Sequence, residues 1–255
     1  MKIRFLGTGT STGNPEIGCR CEVCTSTDRR DRRFRASALI ETEGKRILID
    51  CSPDFRMQML KTLETDYFMQ LDGVLITHEH YDHVGGLDDL RAFSREGNVK
   101  IYAESNVADA IRTRMPYVFR KHKYPGIPNL EVNEIGNKPF YVSGIKVIPI
   151  RLMHAKLPIL GYRIGNFAYL TDLKTIPEEE YEKLQNIDVL AINALRNEEH
   201  ISHQSVGQAL AQIEKINPRS AYLIHMSHRF GLHAAMEKTL SENVFIAFDE
   251  EEVLM

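Results

Sequence analysis

The run Thr77-His78-Glu79-His80-Tyr81-Asp82-His83 constrains this chain more than any other stretch. It places three imidazoles and a carboxylate side by side, directly after the apolar segment Gly73-Val74-Leu75-Ile76, which reads as a buried strand. A polar turn held by the end of a strand can aim several ligands at one point. Imidazole and carboxylate suit zinc, manganese and iron, and interspersed Asp points to a hydrolytic rather than a purely structural site. A solvated loop that happens to contain histidines explains this spacing poorly. The fold must therefore deliver this turn, and further ligands, to one metal site.

At 255 residues the chain is near the upper size for one hydrophobic core, so residues 1–255 are expected to form a single domain. A net charge of -3 gives no support for broad nucleic-acid or membrane binding. No apolar run approaches the roughly 20 residues that span a bilayer. The opening Met1 to Gly7 is too short an apolar run for a signal peptide, so a cytoplasmic protein with reduced thiols is expected. Cys19, Cys21 and Cys24 form C-x-C-x-x-C, a spacing that suits thiolates on one tetrahedral ion better than a disulfide framework. Three thiolates need a fourth ligand from elsewhere. Cys51, at the end of an apolar strand, reads as a small buried residue.

Strands are expected at Lys2 to Leu6, Ser37 to Thr42 and Arg46 to Asp50, the last two as a hairpin around Glu43-Gly44-Lys45. The glycines between Gly7 and Gly13 serve a tight turn, since no helix pattern follows them. Helical spacing covers Pro53 to Leu63, Gly86 to Phe93 and Val107 to Met115, with a strand at Lys100 to Ala103. Beyond a basic loop at 116–129, strands are expected at Leu130 to Ile135, Ile145 to Leu152, Leu160 to Ile164, Phe167 to Thr171, Asp188 to Asn193 and Ala221 to Ile224. Helices are expected at Pro177 to Leu184, Ser205 to Ile216 and Leu232 to Leu240. No internal repeat is evident. This mixture points to an α/β chain built as a four-layer αββα sandwich.

Three single residues repeat the pattern of strand end followed by ligand: His154, Asp172 and His225. Together with Asp50 and His78-x-His80-x-Asp82-His83, in this order, they resemble the metallo-β-lactamase superfamily of dinuclear hydrolases. The resemblance covers nearly the whole chain. It implies that His78, His80 and His154 hold one divalent ion, that Asp82, His83 and His225 hold a second, and that Asp172 bridges both. Asp50 is then the carboxylate that orients the cluster. Zinc and manganese both suit this donor set.

The cysteine trio and a histidine three residues past His225 resemble the PhnP-type phosphodiesterases. That resemblance assigns Cys19, Cys21, Cys24 and His228 to a structural zinc, and it implies a small phosphodiester, cyclic ones included, as substrate. Cleavage releases a poorly leaving alkoxide, so an imidazolium near it is useful. His203 fits that place, with His200 as the alternative. The implied chemistry is attack by a hydroxide that two ions have made available near neutral pH, with Asp82 and Asp50 supporting the centre. Arg56 and the Arg120-Lys121-His122-Lys123 loop are weak candidates for gripping substrate; His122 and His233 are otherwise surface or structural residues.

A tRNA 3'-processing endonuclease carries a similar donor set but adds an RNA-gripping arm, and only 17 residues separate His154 from Asp172. A glyoxalase II-type thioester hydrolase adds a C-terminal helical domain that the stretch after His225 does not resemble. A non-catalytic, metal-stabilised binding protein would not need every one of these ligands. The expected partner is a small phosphodiester, with neither membrane nor nucleic acid; a homodimer stays open.

Overall fold

The computed structural model of the chain describes residues 1–255 except Glu96, Lys123 and Pro125. Six strands come first: β1 (Lys2–Gly7), β2 (Ser37–Thr42), β3 (Lys45–Ile49), β4 (Gly73–Leu75), β5 (Val99–Ala103) and β6 (Leu130–Glu134). Next come β7 (Phe140–Val142), β8 (Ile145–His154), β9 (Leu157–Ile164), β10 (Phe167–Leu170), β11 (Val189–Asn193), β12 (Ser220–Ile224) and β13 (Val244–Ile246). A last strand, β14 (Glu252–Leu254), returns to pair with β1. The result is two seven-stranded sheets, ordered β14-β1-β2-β3-β4-β5-β6 and β13-β12-β11-β10-β9-β8-β7. The helices are α1 (Glu22–Thr25), α2 (Phe55–Thr65), α3 (Tyr81–Val84), α4 (Ser105–Arg114), α5 (Val206–Ile216) and α6 (His233–Met236).

Both faces of each sheet are covered, which is why the strands read as nearly continuous apolar runs. In β2 and β3, Ala38, Ile40, Ile47 and Ile49 join Phe5, Leu160, Tyr162 and Tyr169 in a cluster between the two sheets. The alternate residues Leu39 and Leu48 face outward, packing with Phe55 and Met59 of α2 and Val107 and Ile111 of α4. A third cluster packs Val206, Ala209 and Ile213 of α5 against Leu170, Leu190 and Ile192. Helix, sheet, sheet and helix are thus stacked as four layers, as the sequence implied.

The sequence shows no repeat, yet the topology repeats. In the first sheet β1, β2 and β3 are antiparallel neighbours, and β3 through β6 are then parallel. In the second, β7 through β10 are antiparallel and β10 through β13 parallel. Each half therefore has a point where parallel strands begin, and the crevice outside their carboxyl ends is where α/β sheets place sites. The halves meet there directly. Leu160 of β9 donates its N–H to Thr77 O at 3.1 Å, and the Tyr162 hydroxyl donates to Ile76 O at 2.6 Å. On the other flank, Met226 donates to Thr8 O and Thr10 donates to Met226 O, each at 3.0 Å.

Several expected elements differ in form. Leu87–Ser94 and Glu178–Leu184 wind as 3-10 rather than α-helices, and the final helix is one α turn followed by a 3-10 turn at Glu237–Thr239. The hairpin turn is two residues, Glu43 and Gly44, both at positive φ (51° and 73°), which matches the twist of the paired strands. Tyr81–Val84, expected as a plain turn, is a single helical turn.

Gly86 lets that turn sit against the exit of β3. A Cβ there would lie 2.1 Å from Ser52 O and 2.7 Å from Phe55 Cβ. We expect Gly86→Ala to cost at least the ~1–3 kcal/mol typical of overpacking. Urea unfolding that leaves the midpoint unchanged would show that the turn does not need this close approach.

Candidate metal centre

Asp50 follows β3 in the left-handed region, at φ 59°, which turns its side chain back under the neighbouring strand end. Its carboxylate is fully buried and accepts the Thr77 N–H at 2.9 Å, the Thr77 hydroxyl at 2.9 and 3.1 Å, and His83 Nδ1–H at 2.7 Å. With Nδ1 donating to Asp50, His83 turns Nε2 into the cluster, where it carries a proton or, once that is displaced, offers a lone pair to a cation. That nitrogen is buried with no hydrogen-bond partner among the described residues, 3.1 Å from Asp82 Oδ2 and 3.2 Å from Asp172 Oδ1. Two carboxylate oxygens facing one ring nitrogen call for positive charge between them, either a proton on the imidazole or a cation in its place.

Asp172 (φ 55°) and His225 (φ 57°) leave β10 and β12 in the same left-handed conformation. Such backbone is uncommon outside glycine and here sits where the chain must turn sharply to face the crevice. The two oxygens of Asp172 point to different groups. Oδ1 lies 3.2 Å from His83 Nε2 and 3.1 Å from His225 Nε2, whereas Oδ2 lies 3.7 Å from His78 Nε2 and 3.2 Å from His203 Nε2. Asp82, His83, Asp172 and His225 bring their ligand atoms within 4.8 Å of one another, as do His78, His80 and Asp172. His154, at the end of β8, donates Nδ1–H to the Asp172 backbone oxygen at 2.6 Å and groups with Asp172 and His203. Its ring lies 5.1 Å from that of His80. His80 is exposed, so the cluster opens to solvent on that side.

Charge follows the same geometry. Burial resists ionisation of His83, but Asp172, Asp82 and Asp50 outweigh it and hold its pKa well above the ordinary histidine value. Burial also opposes the Asp172 carboxylate, yet His225 and His83 keep its pKa well below the usual range. At His78, where burial and then His83 act together, the imidazolium is strongly disfavoured. The carboxylates thus draw positive charge into the cluster, and a divalent cation that displaced the His83 proton would meet ionised carboxylates and imidazole nitrogens, a donor set that fits it.

The second cluster is equally convergent. Cys19, Cys21 and Cys24 place their sulfurs 3.0, 3.6 and 3.5 Å from His228 Nδ1. No disulfide joins them. A hydrogen bond from the Cys24 backbone draws the Cys21 thiol down to about 7, whereas burial pushes Cys24 up to about 12. Packed thiols of this kind share negative charge poorly without a cation, and three sulfurs with one imidazole fit tetrahedral zinc. Glu16, which the sequence reading did not single out, lies 3.4 Å from His228 Nε2 and so frees Nδ1 to face the sulfurs.

Two more residues emerge only from the fold. Thr77, adjoining the motif, connects Asp50 to His78 through its hydroxyl, 3.0 Å from His78 Nδ1. Lys174 donates to His200 O at 2.7 Å, His203 O at 3.3 Å and Gln208 Oε1 at 2.9 Å, clamping the loop that carries His203. Gln208 in turn completes a capping box with Ser205 at the start of α5. His200 sits behind His203, its Nδ1 3.1 Å from His203 Nδ1, and burial lowers its pKa.

Other expected residues are not among the grouped donors. Arg56 is exposed on the first turn of α2, where its guanidinium meets Met57 Sδ. Arg120, Lys121 and His122 make no contact with the cluster among the described residues, and Lys123 lies outside them. His233 is buried, with Nδ1 3.2 Å from Arg33. Cys51 is fully buried and its pKa pushed well up by burial.

A family model described as the β-lactamase superfamily domain matches residues 45–226, from β3 to the residue after His225. The chain belongs to the metallo-β-lactamase superfamily of hydrolases. Within it, the chain resembles the PhnP family: a crystal structure of a new diphosphatase from that family superposes with a TM-score of 0.92 at 32% identity, covering 100% of this chain and 97% of that one. An octanoyltransferase of Porphyromonas gingivalis (strain ATCC BAA-308 / W83) is 50% identical over 258 residues, covering all of this chain and 52% of that protein. The chain thus spans about half of that relative's length. Zn(2+)-bound PqqB from Methylobacterium extorquens shares the fold, with a TM-score of 0.78 at 17% identity over the full length of both chains.

The geometry around Glu16 leads to a test on the cysteine cluster. Cys21→Ser should lower the melting temperature and remove one zinc per chain. Glu16→Gln should weaken zinc there about 10–100-fold in a chelator competition, the usual cost of losing a partner that orients a metal-bound imidazole. Unchanged zinc affinity in Glu16→Gln would mean that His228 is oriented by other means.

Proposed function

We propose that this hydrolase is a metal-dependent phosphodiesterase acting on a small phosphodiester, with His203 assisting the leaving group. The observation that carries the reading is the division of labour at Asp172, whose two oxygens face separate donor groups on either side. His78, His80 and His154 would hold one divalent ion, Asp82, His83 and His225 another, with Asp172 shared and Asp50 orienting His83. Bound there, two such ions supply Lewis acidity, making water a nucleophile near neutral pH and offsetting phosphate charge.

The chain's own groups supply the rest. Asp50 keeps the proton of His83 on Nδ1, so that Nε2 stays a donor to the centre. His203 Nε2, 3.2 Å from Asp172 Oδ2, stands at the edge of the cluster and can carry a proton to a departing oxygen. Lys174 fixes the backbone on either side of that imidazole. Burial disfavours a charged His200, which supports His203 as the proton donor.

Substrate size follows from the connection between His154 and Asp172. It consists of β9, β10 and their tight turns, leaving no arm to hold a long RNA. The octanoyltransferase name belongs to a relative of which half is unmatched here. The imidazoles and carboxylates of this centre converge on one another as metal donors, and the buried Cys51 is withheld from acyl transfer.

His203→Ala should keep its metal content yet lose activity in proportion to leaving-group basicity. A general acid contributes about 10²–10⁴-fold, so alkyl esters should approach that loss, and p-nitrophenyl esters should lose much less. Equal losses on both substrate types would remove His203 from the role.

A further inference from the structure

Two imidazoles, one from each donor group, turn Nδ1 toward the same carboxylate by different routes. His83 Nδ1 lies 2.7 Å from Asp50 Oδ2, a direct contact. His78 Nδ1 instead lies 3.0 Å from the Thr77 hydroxyl, and that hydroxyl lies 2.9 Å from Asp50 Oδ2 and 3.1 Å from Asp50 Oδ1. Asp50, Thr77, His78 and His83 are all buried, and the two imidazole rings stand 4.2 Å apart.

The direction of the second route follows from the single hydrogen on Thr77 Oγ1. Aimed at His78, it would leave the hydroxyl oxygen facing two carboxylate oxygens with lone pairs alone, a repulsion that a buried place strengthens. The hydroxyl therefore donates to Asp50, and its free lone pair accepts the Nδ1–H of His78. The Thr77 backbone N–H, 2.9 Å from Asp50 Oδ1, fixes the carboxylate for that contact. The other ring nitrogen then points into the donor group: His78 Nε2 lies 3.0 Å from His80 Nδ1 and 3.7 Å from Asp172 Oδ2.

We propose that Thr77 is a positioning residue that extends the hold of Asp50 to His78, so that one buried carboxylate orients an imidazole in each of the two donor groups. His83 serves the group with Asp82 and His225, and His78 the group with His80 and His154. An imidazole held at one nitrogen presents the other to a cation in a fixed direction. Removing the Thr77 hydroxyl should therefore weaken one site, whereas removing the Asp50 charge should weaken both. His154 is oriented separately, through its Nδ1–H on Asp172 O, so the first group keeps part of its order without Thr77. The inference rests on the donor groups assigned above and makes no use of the substrate.

Two measurements on the zinc-loaded protein test this. Long-range proton–nitrogen NMR of the imidazoles should find the His78 hydrogen on Nδ1 and protected from exchange; Thr77→Val should lose the protection and Thr77→Ser should retain it. Crystals equilibrated at a series of free-zinc concentrations give the occupancy on each side of Asp172 by anomalous scattering. Thr77→Val should weaken zinc beside His78, His80 and His154 about 10–100-fold, the usual cost of losing a partner that orients a metal-bound imidazole. Zinc beside Asp82, His83 and His225 should bind as in the unaltered protein, Thr77→Ser should restore the first site, and Asp50→Asn should weaken both. The proposal is overturned if the His78 hydrogen lies on Nε2 or exchanges freely in the unaltered protein, if Thr77→Val affects both sites equally or neither, or if Thr77→Ser restores nothing. A protein that meets these expectations yet cleaves no phosphodiester would refute the reaction proposed above and leave this role of Thr77 standing.

Discussion

The buried carboxylate of Asp50 is the fixed point of this molecule. It receives three kinds of donor from two residues of the histidine run: the Thr77 backbone, the Thr77 hydroxyl and the His83 ring. A carboxylate taken out of water is unfavourable unless its lone pairs are filled, and here they are filled by the residues that flank the histidine motif. The same bonds that stabilise Asp50 decide the tautomer of His83 and the path of the chain from β4 into α3. Removing that anchor would release both the strand exit and the imidazole.

From that point the two halves of the fold depend on each other. The first half supplies Asp50 and the histidine motif from β3 and β4; the second supplies His154, Asp172 and His225 from β8, β10 and β12. Neither half holds a complete donor set. Backbone bonds between Leu160 and Thr77 and between Thr8, Thr10 and Met226 join the sheets on both flanks of the crevice. The cysteine loop adds a third tie, because His228 lies only three residues beyond His225. The metal-binding side chains are thus held by elements whose packing is settled elsewhere, which is how a site of crowded like-charged and lone-pair groups can persist.

Much of this was legible in the sequence because apolar strands that end in His or Asp announce both layer and ligand at once. The histidine motif, His154, Asp172 and His225 each follow such a run. What escaped reading is equally informative. The strands β7, β13 and β14 are three residues each, too short for a period to register, and they exist through pairing with longer neighbours. The helical turn Tyr81–Val84 has no apolar stripe; it forms because Asp82 and His83 must face Asp172 and Asp50 together. The left-handed turns at Asp172 and His225 carry no glycine to mark them. Glu16 and Lys174 look like ordinary surface charges until the chain brings His228 and the His203 loop to them. Arg56 is read from its charge alone, and the fold leaves it exposed on the first turn of α2.

The central claim is that Asp172 lies between two cations. Crystals of metal-replete protein, measured for anomalous scattering at the zinc and manganese edges, test it directly. The account predicts two peaks on opposite sides of the Asp172 carboxylate, one toward His78, His80 and His154 and one toward Asp82, His83 and His225, with a third peak among Cys19, Cys21, Cys24 and His228. A single peak at Asp172 under saturating metal, or none, would contradict it.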